Sequence, residues 1–227
     1  MDLEERAQFH AALAEPGRLA IVDALALSDL SPSDLARDLG IASNLLAHHL
    51  RVLEQAGIIR RSKSEGDGRR SYVRLRPDNP LLAALDLVPR LEADLRGRGR
   101  VVFVCTQNSA RSQLAASAWR RASSVPVSSA GTHPAGRVHP GAVKVARRHG
   151  VPLEDQQTRH VDDVVTPDDL VIAVCDQVHE ELPNDPRLHW SVPDPVRSAK
   201  PGDFEAAYDD IAHRVGRLAS TLDSQSN

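Results

Sequence analysis

A cysteine and an arginine are spaced so that they could attack and hold an oxyanion. Cys105 follows four apolar residues, 101–104, and five residues separate it from Arg111. Where a short loop leads from a strand into a helix, several backbone N–H groups point into one concavity, and the helix dipole adds positive potential there. Such a loop binds a tetrahedral anion, and an arginine can hold two of its oxygens. The same potential favours a thiolate at Cys105, which would attack the bound anion as a nucleophile.

A strand and a helix must flank this loop. The uninterrupted apolar run at 101–104 is typical of a strand buried in a parallel sheet, and the apolar periodicity of residues 113–122 predicts a helix. We expect the side chains of Asn108 and Ser112 to hydrogen-bond to the loop and to the thiolate. The residues expected to surround the anion are Thr106, Gln107, Asn108, Ser109, Ala110, Arg111 and Ser112.

The alternation of strand and helix continues to the end of the chain. It predicts an α/β domain with a four-stranded parallel sheet and helices on both of its faces. Further strands are predicted at 125–129, 168–174 and 188–192, and further helices at 140–149, 176–182 and 204–222.

Two more candidate catalytic residues follow predicted strands at the sheet edge where open α/β sheets bind ligands. Asp194 comes after the fourth strand, where its carboxyl group could protonate a leaving oxygen as Cys105 attacks. The alternative is an ordinary turn aspartate before Pro195. Cys175 ends the third strand and could reach Cys105, and the alternative is a buried structural cysteine.

The segment 104–113, Val-Cys-x-x-Asn-Ser-Ala-Arg-Ser-Gln, resembles the low-molecular-weight tyrosine phosphatase superfamily, specifically its arsenate reductase branch. The resemblance runs from about Arg100 to Leu222 and includes the segments 129–132, 137–140 and 174–176. It implies that Cys105 is the nucleophile, that Arg111 holds the oxyanion and that Asp194 protonates the departing oxygen.

Both a phosphatase and an arsenate reductase begin in this way. A phosphatase then needs water, whereas a reductase needs a second thiol, such as Cys175, to attack Cys105 and release arsenite. The loop at 133–135 has no aromatic residue to stack on an aryl phosphate, which favours the reductase. We expect no bound cofactor and no metal, but an external thiol reductant: mycothiol, glutathione with glutaredoxin, or thioredoxin.

Two positions depart from the thioredoxin-coupled relatives. The resemblance implies a relay cysteine seven residues after Cys175, where this chain has Leu182. It also implies an acidic residue near a potassium ion after the loop, where this chain has Ala116.

The N-terminal part has the pattern of a helix-turn-helix. Helices are predicted over 3–13, from Pro16, from the cap candidates Ser31 and Ser33 to Gly40, and from Ser43 to Ala56. The second helix should bury Leu19, Ile21, Val22, Leu25 and Leu27. In the last helix, Leu46, Leu50 and Leu53 should face the core. The opposite face, either a DNA-reading surface or an ordinary solvated face, carries Asn44, Ala47, His48 and Arg51.

Residues 58–76 predict two alternating strands around an Asp-Gly turn. This hairpin carries seven Arg and Lys residues against two acidic ones, although residues 1–98 as a whole are nearly neutral. A basic hairpin after a helix-turn-helix suits contacts with DNA phosphates, and the alternative is a merely soluble hairpin.

Residues 45–59 resemble the ArsR-like winged-helix repressors, with a likeness that covers about residues 5–78. It implies a homodimer that binds a near-palindromic operator. The residues expected at bases are Asn44, His48 and Arg51, and those expected at phosphates are Arg60, Arg61, Lys63, Arg69 and Arg70. Residues 1–104 contain no cysteine, and His10, His48 and His49 do not form a metal set. We therefore expect occupancy or oxidation of the Cys105 site to alter DNA binding.

These observations predict two domains, a winged helix-turn-helix at 1–78 and an arsenate-reductase-like domain at 100–227. Residues 79–99 form a linker with a helix whose apolar stripe, Leu81, Leu85, Val88, Leu91 and Leu95, packs on a second copy or on the following domain. Two cysteines, a net charge of −3, and no signal peptide or apolar span indicate a cytoplasmic protein away from membranes. The chain would combine regulation with reduction; the alternatives are a regulator that only senses oxyanions and a phosphatase.

Overall fold

The structure is a computed structural model that describes residues 2–83, 85, 87, 99–153, 157–182, 188–198 and 200–223. It divides into two compact units, one formed mainly by residues 1–90 and the other mainly by residues 91–227. No helix in the described ranges is both long enough and apolar enough to cross a membrane.

Local sequence signals determine the helices of the first unit, which are α1 (Leu3–Leu13), α2 (Pro16–Ala24), α3 (Pro32–Leu39) and α4 (Ser43–Gln55). Asp2 and Glu5 form a capping box at the start of α1, and the side chain of Ser31 caps α3. Gly40 ends α3 in the left-handed conformation. The predicted helices are confirmed, but Ser43 lies inside α4, whose N-cap is Ala42, and Ser33 is not a cap.

The core of the first unit is built from the apolar faces of these helices. Leu46, Leu50 and Leu53 are buried in it, as predicted. Leu19 was expected beside Ile21 and Val22, but it is 42% exposed. A short helix, α5 (Pro80–Ala83), follows. Its stripe was expected on a second copy or on the following domain, but the partly buried Leu81 and Leu85 pack on this same core. Val88, Leu91 and Leu95 of the predicted linker helix lie outside the described residues.

Two antiparallel strands, β1 (Ile59–Lys63) and β2 (Ser71–Leu75), complete the first unit. Ile59 pairs with Leu75 and Lys63 with Ser71. The prediction of a tight Asp-Gly turn was wrong, because residues 64–70 connect the strands and the Ser64 N–H donates to the Arg70 carbonyl over 3.0 Å. The predicted alternation also fails in β2, where residues 72–75 are all buried.

The second unit contains a parallel sheet of β3 (Arg100–Cys105), β4 (Val127–Gly131), β5 (Asp169–Ala173) and β6 (Leu188–His189). Their order is β4-β3-β5-β6, which confirms the predicted four-stranded parallel sheet. Strand β4 begins and ends two residues later than predicted, at Gly131. Phe103, Trp119 and Trp190 form an aromatic core, with the Phe103 ring centroid 6.0 Å from Trp119 and 5.5 Å from Trp190.

Helices connect and cover these strands. They are α6 (Arg111–Ala122), α7 (Pro140–Arg148), α8 (Val161–Val164), α9 (Asp176–Glu181), α10 (Pro195–Ser198) and α11 (Asp203–Asp223). Helix α6 packs on β3, β4 and α11. It begins two residues before the predicted start, so Arg111 belongs to its first turn. The four-residue helices α8 and α10 were not predicted, because so short a segment leaves no periodic pattern.

Candidate functional site

A loop of five residues joins Cys105, at the end of β3, to Arg111, at the start of α6. Its bend depends on Asn108, which has a positive φ of 49°, a conformation that asparagine tolerates better than most residues. The buried Asn108 side chain donates to Ser112 Oγ over 2.9 Å and to Ser129 Oγ over 3.0 Å. Its Oδ1 accepts from the Arg159 N–H over 2.9 Å. Asn108 therefore ties the loop to β4 and to the segment before α8.

The outward carbonyls of this loop are already bonded to the neighbouring segment 132–139. Residues 105, 106, 107 and 109 accept from the N–H groups of Thr132, His133, Ala135 and His139, at 3.3, 2.7, 3.0 and 2.9 Å. In the part of the chain that the structure describes, the N–H groups of residues 106–112 donate to no protein acceptor. Outward carbonyls and inward N–H groups are the arrangement of an anion-binding nest.

Gly131 allows the neighbouring strand to approach the loop. A Cβ atom at this position would lie 2.7 Å from the Thr106 carbonyl oxygen and 2.8 Å from the Asn108 backbone nitrogen. Only glycine fits so close an approach. The sequence contained Gly131 within a motif, but nothing in its spacing revealed this contact.

The nucleophile candidate has a hydroxyl partner. Cys105 Sγ lies 3.1 Å from Ser112 Oγ, and both residues are buried. Because Asn108 donates to that same hydroxyl oxygen, the hydroxyl hydrogen can point toward the sulfur. The structure thus brings Cys105, Asn108 and Ser112 into one hydrogen-bonded chain.

Arg111 and Asp194 meet although 83 residues separate them in sequence. Arg111 Nη2 donates to Asp194 Oδ2 over 3.0 Å, and Nη1 donates to the Val192 carbonyl over 3.0 Å. Burial by itself would lower the pKa of Arg111, but the nearby Cys175 and Cys105 sulfurs and the Asp194 carboxylate raise it above its usual value. The guanidinium therefore remains a cation inside the protein. The pocket here is lined by Cys105, Gln107, Ser109, Ala110, Arg111, Asp194 and Val196.

Cys175 lies next to the loop that follows Cys105, just after the adjacent strand β5. Val104 pairs with Ala173, and the Val174 N–H donates to the Val104 carbonyl over 2.8 Å. Cys105 thus ends β3, and Cys175 lies two residues past the end of the adjacent strand β5, as the N-cap of α9. Both cysteines are free and buried. Burial raises the pKa of the Cys175 thiol, although the Arg111 cation opposes this shift.

The two positions that depart from the thioredoxin-coupled relatives hold ordinary structural residues. Ala116 is a buried residue of α6, and Leu182 is the C-cap of α9. Among the described residues, no group of three or more His, Cys, Asp or Glu side chains could hold a metal ion.

In the first unit, the candidate DNA-reading residues Asn44, His48 and Arg51 are exposed on one side of α4. The basic residues Arg60, Lys63, Arg69 and Arg70 are also exposed. Arg61 is exposed as well, and its Nε donates to Glu54 Oε2 over 3.0 Å. Leu45, which the sequence did not single out, is 48% exposed in the first turn of α4.

Family comparison agrees with the geometry. Residues 100–227, more than half of the chain, match the family described as low molecular weight phosphotyrosine protein phosphatase. The chain belongs to this family. Residues 15–61 match a second family, described as bacterial regulatory protein, arsR family. Both resemblances drawn from the sequence are confirmed.

Similar proteins cover the second part of the chain. An arsenate reductase of Brevibacillus brevis is 31% identical over 135 residues, which are 56% of this chain and 98% of the relative. An arsenate reductase of Bacillus licheniformis is 33% identical over 134 residues, or 53% of this chain and 95% of the relative. A solved arsenate reductase of Archaeoglobus fulgidus is 30% identical with a TM-score of 0.47, covering 53% of this chain and 98% of that protein.

Proposed function

We propose that this chain is a thiol-dependent arsenate reductase joined to an ArsR-type DNA-binding regulator. One observation carries the enzymatic part. A single sheet edge holds the thiol of Cys105, the cation of Arg111 and the carboxyl group of Asp194, with a second thiol, Cys175, at the end of the next strand. A phosphatase would use the thiol of Cys105, the cation and the carboxyl group. A reductase would also use the second thiol, Cys175.

Arsenate is a tetrahedral dianion that fits the groups offered by the Cys-x5-Arg loop. The N–H groups of residues 106–112 and the Arg111 guanidinium would surround its oxygens with donors. Arg111 at present donates to Asp194. Exchanging this partner for an arsenate oxygen would free the Asp194 carboxyl group to carry the proton for the leaving oxygen.

In the first step, the Cys105 thiolate attacks arsenic and forms an S–As bond. The hydroxyl group of the arsenate dianion takes a proton from Asp194 as its As–O bond breaks and leaves as water. Ser112, 3.1 Å from Cys105 Sγ, stabilises the thiolate through its hydroxyl group before attack.

In the second step, Cys175 attacks Cys105 Sγ after losing its own proton. The S–S bond forms as the S–As bond breaks, and its electron pair stays on arsenic, which leaves as arsenite. The two thiols have become a disulfide, and arsenic(V) has become arsenic(III). An external thiol then reduces the disulfide; mycothiol, glutathione with glutaredoxin, and thioredoxin are the candidates.

The reductase is preferred over the phosphatase for two reasons besides Cys175. The relatives from Brevibacillus brevis and Bacillus licheniformis, which this chain covers to 98% and 95% of their length, are named arsenate reductases. The loop at 133–135 offers no aromatic ring to an aryl phosphate.

The first unit is proposed to bind operator DNA as a winged helix-turn-helix over residues 1–78. Helix α4 would enter the major groove with Asn44, His48 and Arg51, while the basic strands β1 and β2 with their connecting loop would contact phosphates. A homodimer would match a near-palindromic operator. Residues 79–99 would form the linker, and residues 100–227 the reductase.

Arsenite production by the purified chain tests the enzymatic proposal, with each of the three thiol systems supplied in turn. We expect turnover with at least one system, loss of turnover in Cys105→Ser, and loss in Cys175→Ser because the second thiol is internal. Hydrolysis of an aryl phosphate is measured alongside. Phosphate release without arsenite from any system would make the protein a phosphatase. Silence in both assays would leave a regulator that only senses oxyanions.

A further inference from the structure

Two buried ionisable side chains outside the oxyanion pocket are bonded to each other. His189 Nε2 lies 2.9 Å from Asp176 Oδ1, with the side chains 1% and 3% exposed. Neither residue was singled out by the sequence, because 13 positions separate them. The ring of His179, in the same helix as Asp176, stacks on the ring of His189 with centroids 4.1 Å apart and planes 6° apart.

A buried carboxylate destabilises a protein unless it has strong hydrogen-bond or charge partners. Replacing a buried charged pair by well-packed apolar residues often leaves the protein equally stable or more stable. Burial raises the pKa of Asp176, but the hydrogen bonds with His189, with the Glu65 N–H and with Ser191, together with the charge of His189, outweigh this effect, and the pKa ends below its usual value. Asp176 is therefore charged at neutral pH. A charged group held this deeply calls for a function other than stability.

The position of the pair suggests that function. Asp176 is the first residue of α9 and directly follows Cys175, whose backbone is still extended at φ −162° and ψ 155°. His189 pairs with Ala173 in the register of β5 and β6, and the Trp190 N–H donates to the Ala173 carbonyl over 2.8 Å. The Asp176–His189 bond thus ties the start of α9 to β6.

Strand geometry relates the direction of His189 to that of the second thiol. Paired residues on adjacent strands point to the same face of a sheet, and side chains two apart along an extended chain do so as well. His189 pairs with Ala173, and Cys175 lies two residues past Ala173 with its backbone still extended, so its side chain continues the alternation of β5 on the face of His189. The backbone on either side of Cys175 is held by the sheet before it and by the Asp176–His189 bond after it.

We infer that Asp176 and His189 are positioning residues for Cys175, holding its sulfur in line for attack on Cys105. This inference rests on the proposed reductase. It concerns the second step alone, in which the Cys175 thiol loses its proton, the S–S bond forms, the S–As bond breaks and arsenic keeps the electron pair. Attack of Cys105 on the oxyanion does not involve the pair.

The test compares His189→Ala, Asp176→Asn and His189→Gln, whose amide can still donate to Asp176. Rapid-quench thiol counting after arsenate addition, without external reductant, gives the rate of disulfide formation. Binding of the oxyanion is followed separately with phosphate, which does not oxidise the thiols, through its protection of Cys105 from alkylation. We expect disulfide formation to be at least about tenfold slower in His189→Ala and Asp176→Asn than in the parent chain, because small misplacements of reacting groups slow a reaction by factors of this size or more. His189→Gln should restore most of the rate, and phosphate should protect Cys105 at similar concentrations in all three.

His10→Ala, which removes an exposed histidine of α1, serves as the matched control. Disulfide formation at the parent rate in both His189→Ala and Asp176→Asn would overturn the inference. If His189→Ala does not fold, Asp176→Asn decides by the same criterion, because it nearly preserves the shape of the side chain but removes the charge that strengthens the bond to His189. The proposed function fails differently: the parent chain itself would then produce no arsenite with any thiol system and would form no disulfide after arsenate addition.

Discussion

Thr106 Oγ1 lies 3.6 Å from Cys175 Sγ, so the second thiol is hydrogen-bonded to the residue that follows the first. The contact joins the ends of two adjacent strands, β3 and β5, through side chains 69 positions apart. It places the sulfur of Cys175 within 3.6 Å of a side chain of the loop that follows Cys105. A phosphatase step that uses water would gain nothing from this contact.

Thr106→Val should slow disulfide formation while leaving the shape of the loop intact. The substitution removes one hydrogen bond to a sulfur, and such a bond contributes on the order of 1 kcal/mol, or about a two- to tenfold change in rate. Thiol counting after arsenate addition measures the effect. Thr221→Val removes a hydroxyl that bonds to the Arg217 carbonyl in α11, far along the chain, and is the control. Equal rates in both variants would show that the Thr106 hydroxyl does not hold Cys175 for the reaction.

Gly131→Ala should abolish arsenate reduction and lower the free energy of unfolding by about 1–3 kcal/mol, the usual cost of overpacking. The added Cβ would lie 2.7 Å from the Thr106 carbonyl oxygen, so the oxyanion loop must shift. Gly136→Ala is the matched control, because its Cβ would have no heavy atom within 4 Å. Denaturant titration and arsenite production measure the two effects. A fully active Gly131→Ala protein would mean that the loop tolerates displacement.

The stability of the protein should fall at alkaline pH because of Cys175. Its pKa is raised in the folded protein above the ordinary value of 9.0, so above that pH the unfolded chain loses the proton while the folded chain keeps it. The free energy of unfolding then falls by up to about 1.4 kcal/mol per pH unit until the folded pKa is reached. Denaturant titrations at pH 7 and pH 10 compare the parent chain with Cys175→Ser. The variant should lose less stability over this interval, and an identical loss would contradict a raised pKa at Cys175.

The sequence predicted what depends on local order along the chain. The apolar run before Cys105, the cap at Ser31 and the left-handed Gly40 each act within a few residues, so the strands and helices followed from them. Contacts between distant residues were beyond its reach. No sequence pattern predicts the contact between Asp176 and His189 or the one between Gly131 and the Thr106 carbonyl, because both contacts depend on how three strands pack together. The seven-residue connection of β1 and β2 was misjudged because Asp67-Gly68 alone suggested a tight turn.

The ion pair between Arg61 and Glu54 predicts unequal contributions from two adjacent arginines to DNA binding. Arg60 is exposed, whereas Arg61 already donates to a carboxylate of α4. Removing a phosphate contact lowers the slope of log K against log salt by about 1. We expect this change for Arg60→Ala and a smaller one for Arg61→Ala. Fluorescence anisotropy with a duplex selected from a random pool gives both slopes, and a larger change for Arg61→Ala would contradict the assignment.

Asn44→Ala and His48→Ala should alter base preference instead of the salt slope. Both side chains are exposed on the N-terminal half of α4, where a recognition helix reaches base edges. Each lost base contact should reduce discrimination at one position by about 1–3 kcal/mol. Repeating the selection with each variant shows whether a single position relaxes. Unchanged base preference in both variants would mean that this face of α4 is an ordinary solvated surface that contacts no bases.

The state of the Cys105 site should control operator binding by the full chain. Residues 1–104 contain no cysteine, so a thiolate effector site must lie in residues 100–227, where Cys105 and Cys175 are the two thiols. Coupling between two sites typically changes affinity about 5- to 150-fold. We expect arsenate, or oxidation to the Cys105–Cys175 disulfide, to change operator affinity within this range. The same additions should have no effect on Cys105→Ser, whose DNA half is unaltered.

Because linkage is reciprocal, operator DNA should also change the arsenate concentration that protects Cys105 from alkylation, by the same factor. Operator affinity that is indifferent to arsenate, arsenite and oxidant would mean that the two functions share a chain without communicating.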